Sequence, residues 1–517
     1  MLRQMIGFLV MELILFSSFS GTLSATPEIL SPEEKAVVDQ SWSLVRTHRL
    51  QNVSLRVLDD VGKPYTGTLA VKQDSISFIF LIGDAYRFQD GKWVLSREYF
   101  ELTPSHSYYV YAPWKEVERV KGAFDFSTAN TLYAQFSKEG IIDFHIEVGP
   151  YLTGGQIGAW NTLPDWAKTM DFDSLKTNMR GYVEALASNF KGRVQNYHLW
   201  TEANAYYGNG DWPIDRVIDI INMEALTIRS IDPKARVYVD LDNITPTSIA
   251  FFKGTNSWTT EEFVQQLLAK SVPFDVIGLE PHYGGGEAQR VGGMDNLYYR
   301  LNELSKFGKP IYIWEDGPAS FIEPKYLNDE WLRNLWHGVP TEEKQAEYMV
   351  AETIVALGNP SVIGLRFAWL YDAPNDPLFW HRFNGVLYEN GTRKPSFGAL
   401  EDLWSKVKTD LTIRSENGVA AFKALPGVYS IRAEGYQPFK ISVVEETSGP
   451  ISITLISTAP PATISTTTSE FTVMQGQGPS TLAFYLMVAL GALVIFGVAI
   501  RVLRKERREP RKPLAST

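Results

Sequence analysis

Apolar residues in the middle of the chain follow two alternating rhythms. Dense runs of branched and aromatic residues recur as SFIFLIG (77–83), YFELT (99–103), IIDFHIEVG (141–149), VQNYHLW (194–200), RVYVDLD (236–242), FDVIGLEPH (274–282), PIYIWE (310–315) and VIGLRFAWL (362–370). Short apolar runs bounded by turn signals read as strands covered on both faces. Between most of them the period lengthens to that of a helix. In DFDSLKTNMRGYVEALASNF, Leu175, Met179, Val183, Leu186 and Phe190 share one face, and Asp173 stands where a cap belongs. Eight strands alternating with helices predict an α/β fold, a closed (β/α)₈ TIM barrel rather than an open sheet. No G-x-G-x-x-G or phosphate loop opens the first unit, which argues against a dinucleotide or nucleotide triphosphate site.

The pattern changes on either side of this region. Residues 46–75 hold two strand-like runs, VSLRVLD and TGTLAVKQD, around Gly62-Lys63-Pro64, and predict a β hairpin in an N-terminal extension. Residues 407–458 alternate in short runs (LTIRS, GVAAF, GVYSIRAEG, FKISVVEE, ISITLIS) punctuated by Asn-Gly, Pro-Gly and Glu-Gly turns, the spacing of a small all-β, Ig-like module. The segment 459–480 is rich in Ser, Thr and Pro and reads as an extended stalk. The run LAFYLMVALGALVIFGVAI (482–500) carries no charge. At ~1.5 Å per residue it is long enough for a ~30 Å hydrocarbon core. Arg501, Arg504, Lys505, Arg507, Arg508, Arg511 and Lys512 follow it, which assigns the tail to the cytoplasmic side. The first 25 residues combine Arg3, an apolar stretch and small residues at Ser24 and Ala25, a signal-peptide pattern. Glu12 interrupts that stretch, and an uncleaved N-terminal anchor is the alternative. The expected plan is therefore a signal peptide (1–25), extension (26–75), barrel (76–406), β module (407–458), stalk (459–480), transmembrane helix (481–500) and basic tail (501–517), with the barrel outside the cell at the membrane.

Composition narrows the chemistry. The chain has no Cys, which excludes a zinc–thiolate site, a Cys nucleophile and a disulfide framework. The tail carries a net +5, leaving −15 on the rest of a chain whose total is −10, so nucleic acid is a poor partner. Aromatic residues reach 13%, including 14 Trp and 24 Tyr, a surplus suited to stacking on flat sugar faces as well as to core filling. Sequons stand at Asn52, Asn243 and Asn390.

Active-site groups of such a barrel gather at the C-terminal ends of its strands. Glu202 follows the fourth strand in HLWTEAN, and Glu315 ends the seventh in IYIWEDG. Two carboxyl groups converging there at ~5–5.5 Å would serve as acid/base and nucleophile of a retaining glycosidase. The plainer alternative is that each merely caps a strand or pairs with a neighbouring base. A metal site built from Glu280, His282 and Glu315 is also conceivable. The two-carboxylate reading uses all three without a metal, and no cofactor is expected.

The order and spacing of further motifs resemble glycoside hydrolase family 10, the xylanase-type members of a clan of (β/α)₈ retaining glycosidases, from about Trp114 to Trp404. Trp114 with Glu118 and KGAFDF, Gly140 with His145, LPDWA (163–167), FKGRVQNYHLWTEA (190–203), IGLEPHY (277–283), IYIWED, FAWLYDAPNDPLFW and NGVLYENGTRKPSFGAL carry the resemblance. It implies that Glu202 is the acid/base and Glu315 the nucleophile. It also implies sugar contacts from His145, His282, Glu280, Thr201 and Trp114, a satisfied structural histidine being the alternative for His145 and His282. Trp314 and Trp369 would line the site and stack on sugar faces, and Trp160, Trp212 and Trp380 are loop candidates for outer subsites, with ordinary packing the alternative for each. Departures bear on the substrate. Thr201 replaces the family's Asn before the acid/base, Glu280 replaces its Gln on strand six, and SHSYYVYAP stands where the Glu-Asn-x-x-Lys group would grip xylose. The expected activity is hydrolysis of a β-linked poly- or oligosaccharide in the manner of an endo-β-1,4-xylanase. A non-catalytic surface carbohydrate-binding or structural protein on the same barrel, or a glycosidase of another family in the clan, are the alternatives. The Gly-rich GGGEAQRVGG (284–293) lacks a phosphate-loop Lys and reads as a substrate-side loop.

Overall fold

The computed structural model describes residues 29–83, 85–89, 92–149, 163–210, 212–282, 293–327, 336–376, 378–379, 381–444 and 449–458. The expected signal peptide, stalk, transmembrane helix and tail lie outside these residues, as do Trp160, Trp380 and positions 284–292 of the Gly-rich loop. Among the described residues no helix is long and apolar enough to cross a membrane.

Strands β1 (Gln51–Leu58) and β2 (Gly67–Ile76) do not form the expected hairpin. They separate into two sheets whose other strands come from the far end of the chain. The barrel lies between. It starts at β3 (Ile79–Ile82), and a small hairpin of β4 (Tyr86–Gln89) and β5 (Lys92–Leu95) follows. Strands β6 (Ser107–Val110), β7 (Asp143–Glu147), β8 (Asn196–His198), β9 (Arg236–Asp242), β10 (Val276–Glu280), β11 (Ile311–Asp316) and β12 (Val362–Phe367) continue it. All pair in parallel in the order β3-β12-β11-β10-β9-β8-β7-β6. At the seam between β3 and β6 the Ser105 hydroxyl bridges both Phe80 backbone groups, at 3.0 Å to its N and 2.8 Å to its O.

The run YFELT, expected as the second strand, is instead a helix, Arg97–Leu102, with Tyr99 and Leu102 buried three residues apart. So short an apolar run does not distinguish the two periods. The second strand is SYYV, every residue of it buried. The helix Phe172–Phe190 buries Leu175, Met179, Val183, Leu186 and Phe190 as the periodicity requires, but its cap is Asp171, which accepts from the Ser174 N–H at 2.9 Å, and not Asp173.

Strands β13 (Asp410–Ser415), β14 (Val419–Ala424), β15 (Gly427–Ala433), β16 (Phe439–Val443) and β17 (Ile451–Thr454) do not make a self-contained module. The sheets are β14-β1-β17 and β13-β2-β15-β16. Their alternating inward residues, among them Val53, Leu55, Leu69, Val71, Phe422, Tyr429, Ile431 and Ile453, form one core. The sequences before and after the barrel thus complete a single sandwich. Of the three sequons, Asn243 is fully buried and accepts from Arg300 Nε at 3.0 Å, so the folded chain offers it to no glycosylating enzyme, while Asn52 and Asn390 are exposed.

Candidate active site

The barrel interior is filled by rings. His145 (β7), His198 (β8), Tyr238 (β9), Tyr312 and Trp314 (β11) contact one another, the closest pair being His198 and Trp314 with centroids 3.7 Å apart. A hydrogen-bonded row crosses this layer. His145 Nδ1 lies 2.8 Å from His198 Nε2, and His198 Nδ1 lies 3.0 Å from Asp240 Oδ2. Burial lowers His145 to about 4 and His198 well below the usual imidazole range, and it raises the Asp240 carboxyl well above its own. The row forms the floor on which the mouth groups stand.

Burial corrects three of the expected sugar contacts. His145 and Trp314 are fully buried inside the barrel, and Trp114 is 2% exposed, stacked on Tyr182 at 5.6 Å with its indole N–H donated to Glu118 at 2.6 Å. Each is a packing group whose polar atom faces inward. Trp212 is likewise half-buried against Phe172 and Trp200.

Glu202 stands just past β8, 6% exposed, in a left-handed backbone conformation with φ 50°. Such a conformation persists in a non-glycine residue only when its surroundings impose it. Two amides and an indole do so here. Asn204 Nδ2 donates to the Asp242 and Trp258 carbonyls at 2.9 and 3.1 Å. Asn209 Nδ2 donates to Ala203 O at 3.2 Å, and Trp200 Nε1 to Gly208 O at 2.9 Å. Gly208 backs the turn so closely that a Cβ there would lie 2.3 Å from Glu202 O and 2.7 Å from Glu202 Cβ. Thr201, half-buried, precedes Glu202 in the same turn.

Glu315 owes its direction to an irregularity. Pairing of β11 with β12 steps from Ile313↔Leu365 to Asp316↔Phe367, three residues against two. The extra residue is a β-bulge, which re-aims side chains. Trp314 turns into the floor, while the Glu315 side chain retains 23% exposure. Arg366 of β12 brings Nη1 to 3.7 Å from Glu315 Oε2. Asp316 is fixed by the Tyr348 hydroxyl and the Gly317 N–H, each donating at 2.7 Å.

Glu280 ends β10 and is 1% exposed, its Oε2 3.5 Å from His282 Nε2 and its Oε1 without a hydrogen-bond partner among the described residues. Burial pushes its carboxyl well above the usual range, and the negative charges of Glu202 and Glu315 push the same way against the bond from His282. The carboxyls expected from the fourth, sixth and seventh strands therefore share one electrostatic environment at the C-terminal end of the barrel. His282, like Glu202, is left-handed, with φ 47°. One ligand atom each from Glu202, Glu280 and His282 falls within 4.8 Å of the others, a set that could hold a divalent cation.

Trp369 follows β12, packed flat against Gly317, where a Cβ would lie 2.3 Å from its ring. It lines a cavity of about 420 Å³ with Tyr86, Tyr371, Asp376 and Glu389. Among the described aromatic residues expected to meet substrate, Trp369 is the one that lines this cavity. The sequence reading missed Arg366, Asn204, Asn209 and Gly208. Arg366 left a signal, a lone charge inside VIGLRFAWL. The others left none, because their roles depend on backbone carbonyls that fold close to them.

Residues 94–316 match the family model described as glycosyl hydrolase family 10. Among curated proteins, the chain is 25% identical over 195 residues to Endo-1,4-beta-xylanase A of Phanerodontia chrysosporium, covering 36% of this chain and 42% of that protein. It is 20% identical over 264 residues to Endo-1,4-beta-xylanase B of Neocallimastix patriciarum, covering 50% of this chain and 27% of the other. The chain thus spans less than half the length of either relative. Among solved structures, native xylanase 10B from Thermotoga maritima aligns with a TM-score of 0.44 at 18% identity, covering 64% of this chain and 95% of that one.

Proposed function

We propose that the chain, whose residues 94–316 match the model of glycosyl hydrolase family 10, is a divergent member of that family and a retaining β-glycan hydrolase held at the outer face of a membrane. Glu202 donates its proton to the glycosidic oxygen while a Glu315 oxygen attacks the anomeric carbon. The bond to the leaving sugar breaks and a glycosyl-enzyme forms. Glu202, now the base, takes a proton from water, which attacks the same carbon and releases Glu315. The observation that carries this reading is geometric: Glu202, Glu280 and His282 bring ligand atoms within 4.8 Å of one another at the strand ends, and Glu315 stands on β11, the strand paired with β10. Glu202 is nearly buried, while the Glu315 side chain keeps 23% exposure beside the Arg366 guanidinium.

The relatives named as endo-1,4-beta-xylanases favour a β-1,4-linked backbone of the xylan kind. Thr201 and SHSYYVYAP at the positions of the family's sugar-gripping groups favour a backbone differing from plain xylan at the non-reducing side of the cut. The full chain, purified in detergent, is to be incubated with xylan, arabinoxylan, mixed-linkage β-glucan, mannan and cellulose. Release of reducing ends from one of them, absent in Glu315→Gln, supports the reading, and no release from any β-linked glycan contradicts it. The signal-like residues 1–25 and the apolar run 482–500 support the location. Recovery of the full chain in the soluble fraction without detergent contradicts that part.

A further inference from the structure

We propose that Arg366 is a positioning residue for the nucleophile, a ring-clamped counter-ion that fixes the Glu315 carboxylate for in-line attack. This rests on the retaining reading above and concerns the same site. Arg366 is a charge placed in a strand that is otherwise apolar, and its side chain is only 8% exposed. Burying a guanidinium is costly unless it is paired and hydrogen-bonded. Two rings hold its faces, Trp314 at 4.3 Å and Tyr109 at 5.0 Å. Nη1 donates to the Trp314 carbonyl at 3.3 Å and approaches Glu315 Oε2 at 3.7 Å. Gly83 leaves room for it, because a Cβ there would come within 3.1 Å of Nη2.

The anion that this cation serves follows from the groups around it. Asp240 of β9 feels the guanidinium, but burial raises its carboxyl well above the usual range, and burial lowers both His145 and His198. Glu315 is the carboxyl in this set with the most solvent contact, and its Oε2 lies 3.7 Å from the guanidinium Nη1. The bulge that turns Trp314 down and Glu315 up also places the ring, the carbonyl and the carboxylate contacted by Arg366 on consecutive residues. A planar guanidinium satisfies all three at once. An ammonium offers the charge without the plane.

The test separates attack from binding and from folding. Dinitrophenyl 2-fluoro glycosides of β-xylobiose and β-cellobiose react in one step. A Glu315 oxygen bonds to the anomeric carbon as the bond to dinitrophenolate breaks, and the phenolate departs with the electron pair, needing no proton. Labelling of the full chain in detergent is followed by intact mass, giving a limiting rate and a reagent affinity. Arg366→Met should slow the limiting rate ~100-fold, the scale of a misplaced reacting group, with the affinity little changed. Arg366→Lys, which keeps the charge, should recover part of the rate at the same melting temperature as Arg366→Met. Wild-type rates in Arg366→Met overturn the proposal, as does a loss wholly in affinity. A folded Arg366→Lys no faster than Arg366→Met overturns the counter-ion role. If the wild-type chain takes up neither label, the retaining reading itself fails and this inference falls with it.

Discussion

Replacing Glu224 by Met should stabilise the protein, and more so as pH rises. Glu224 lies on the helix Ile214–Ile231, fully buried toward the helix Phe172–Phe190, and neither carboxyl oxygen has a hydrogen-bond partner among the described residues. Burial alone raises it from 4.5 to about 8. The folded value exceeds the unfolded one, so the stability associated with the neutral acid is fully present below the unfolded value, erodes as pH rises, and is gone once pH passes the folded value. At 1.36 kcal/mol per pH unit the penalty reaches ~5 kcal/mol as a ceiling, and ~3–5 kcal/mol once the site relaxes. For a chain of this size that corresponds to ~3–5 °C in Tm. Calorimetry of both proteins from pH 4.5 to 8.5 should show Tm curves that nearly meet at the acid end and diverge steadily toward the alkaline end. A gap independent of pH would refute the reasoning, because it would mean that the carboxyl ionises where it sits.

Two further outcomes follow from the geometry of the mouth. Gly208→Ala puts a methyl 2.3 Å from Glu202 O, so the turn must shift; kcat should fall ~100-fold with KM nearly unchanged, as steady-state kinetics on the active glycan would show. Trp369→Ala removes the ring bordering the 420 Å³ cavity and should raise KM ~10-fold or more while leaving the labelling rate of Glu315 at saturating reagent within about twofold.

Much of this architecture was legible because the barrel writes itself in one dimension. Seven of the eight predicted strands lie where the apolar runs place them, since parallel strands covered on both faces need continuous branched and aromatic residues. YFELT failed because a single helical turn and a short strand bury the same few side chains. The hairpin at 46–75 failed for another reason. Its strands do alternate, but pairing partners more than 300 residues away, such as Ala424 for Gln51 and Ser415 for Gly67, leave no local trace. The catalytic candidates could be found because carboxylates at strand ends are conspicuous. Their supports could not, because Asn204 acts on carbonyls 38 and 54 residues away and Gly208 matters only through its close approach to Glu202 in the folded turn. The aromatic assignments erred where one strand faces two ways, since the bulge sends Trp314 inward although it adjoins Glu315. Glu34 is a similar case. Ser31 and Glu34 spell a capping box for the helix Pro32–Leu44, yet the same carboxylate also accepts from Trp336 Nε1 at 2.7 Å and Met294 N at 3.0 Å, contacts that no local pattern announces.

The central claim, that Glu202 and Glu315 divide a double displacement between them, is tested most directly by Glu202→Ala with an activated aryl glycoside and added azide. A good leaving group needs no proton, so the glycosyl-enzyme should still form on Glu315 and then stall for want of a base. Azide, needing no base, should restore turnover, and NMR should identify the product as the β-glycosyl azide, because two inversions at one carbon retain configuration. An α-azide, or turnover by Glu202→Ala that azide leaves unchanged, would contradict the account.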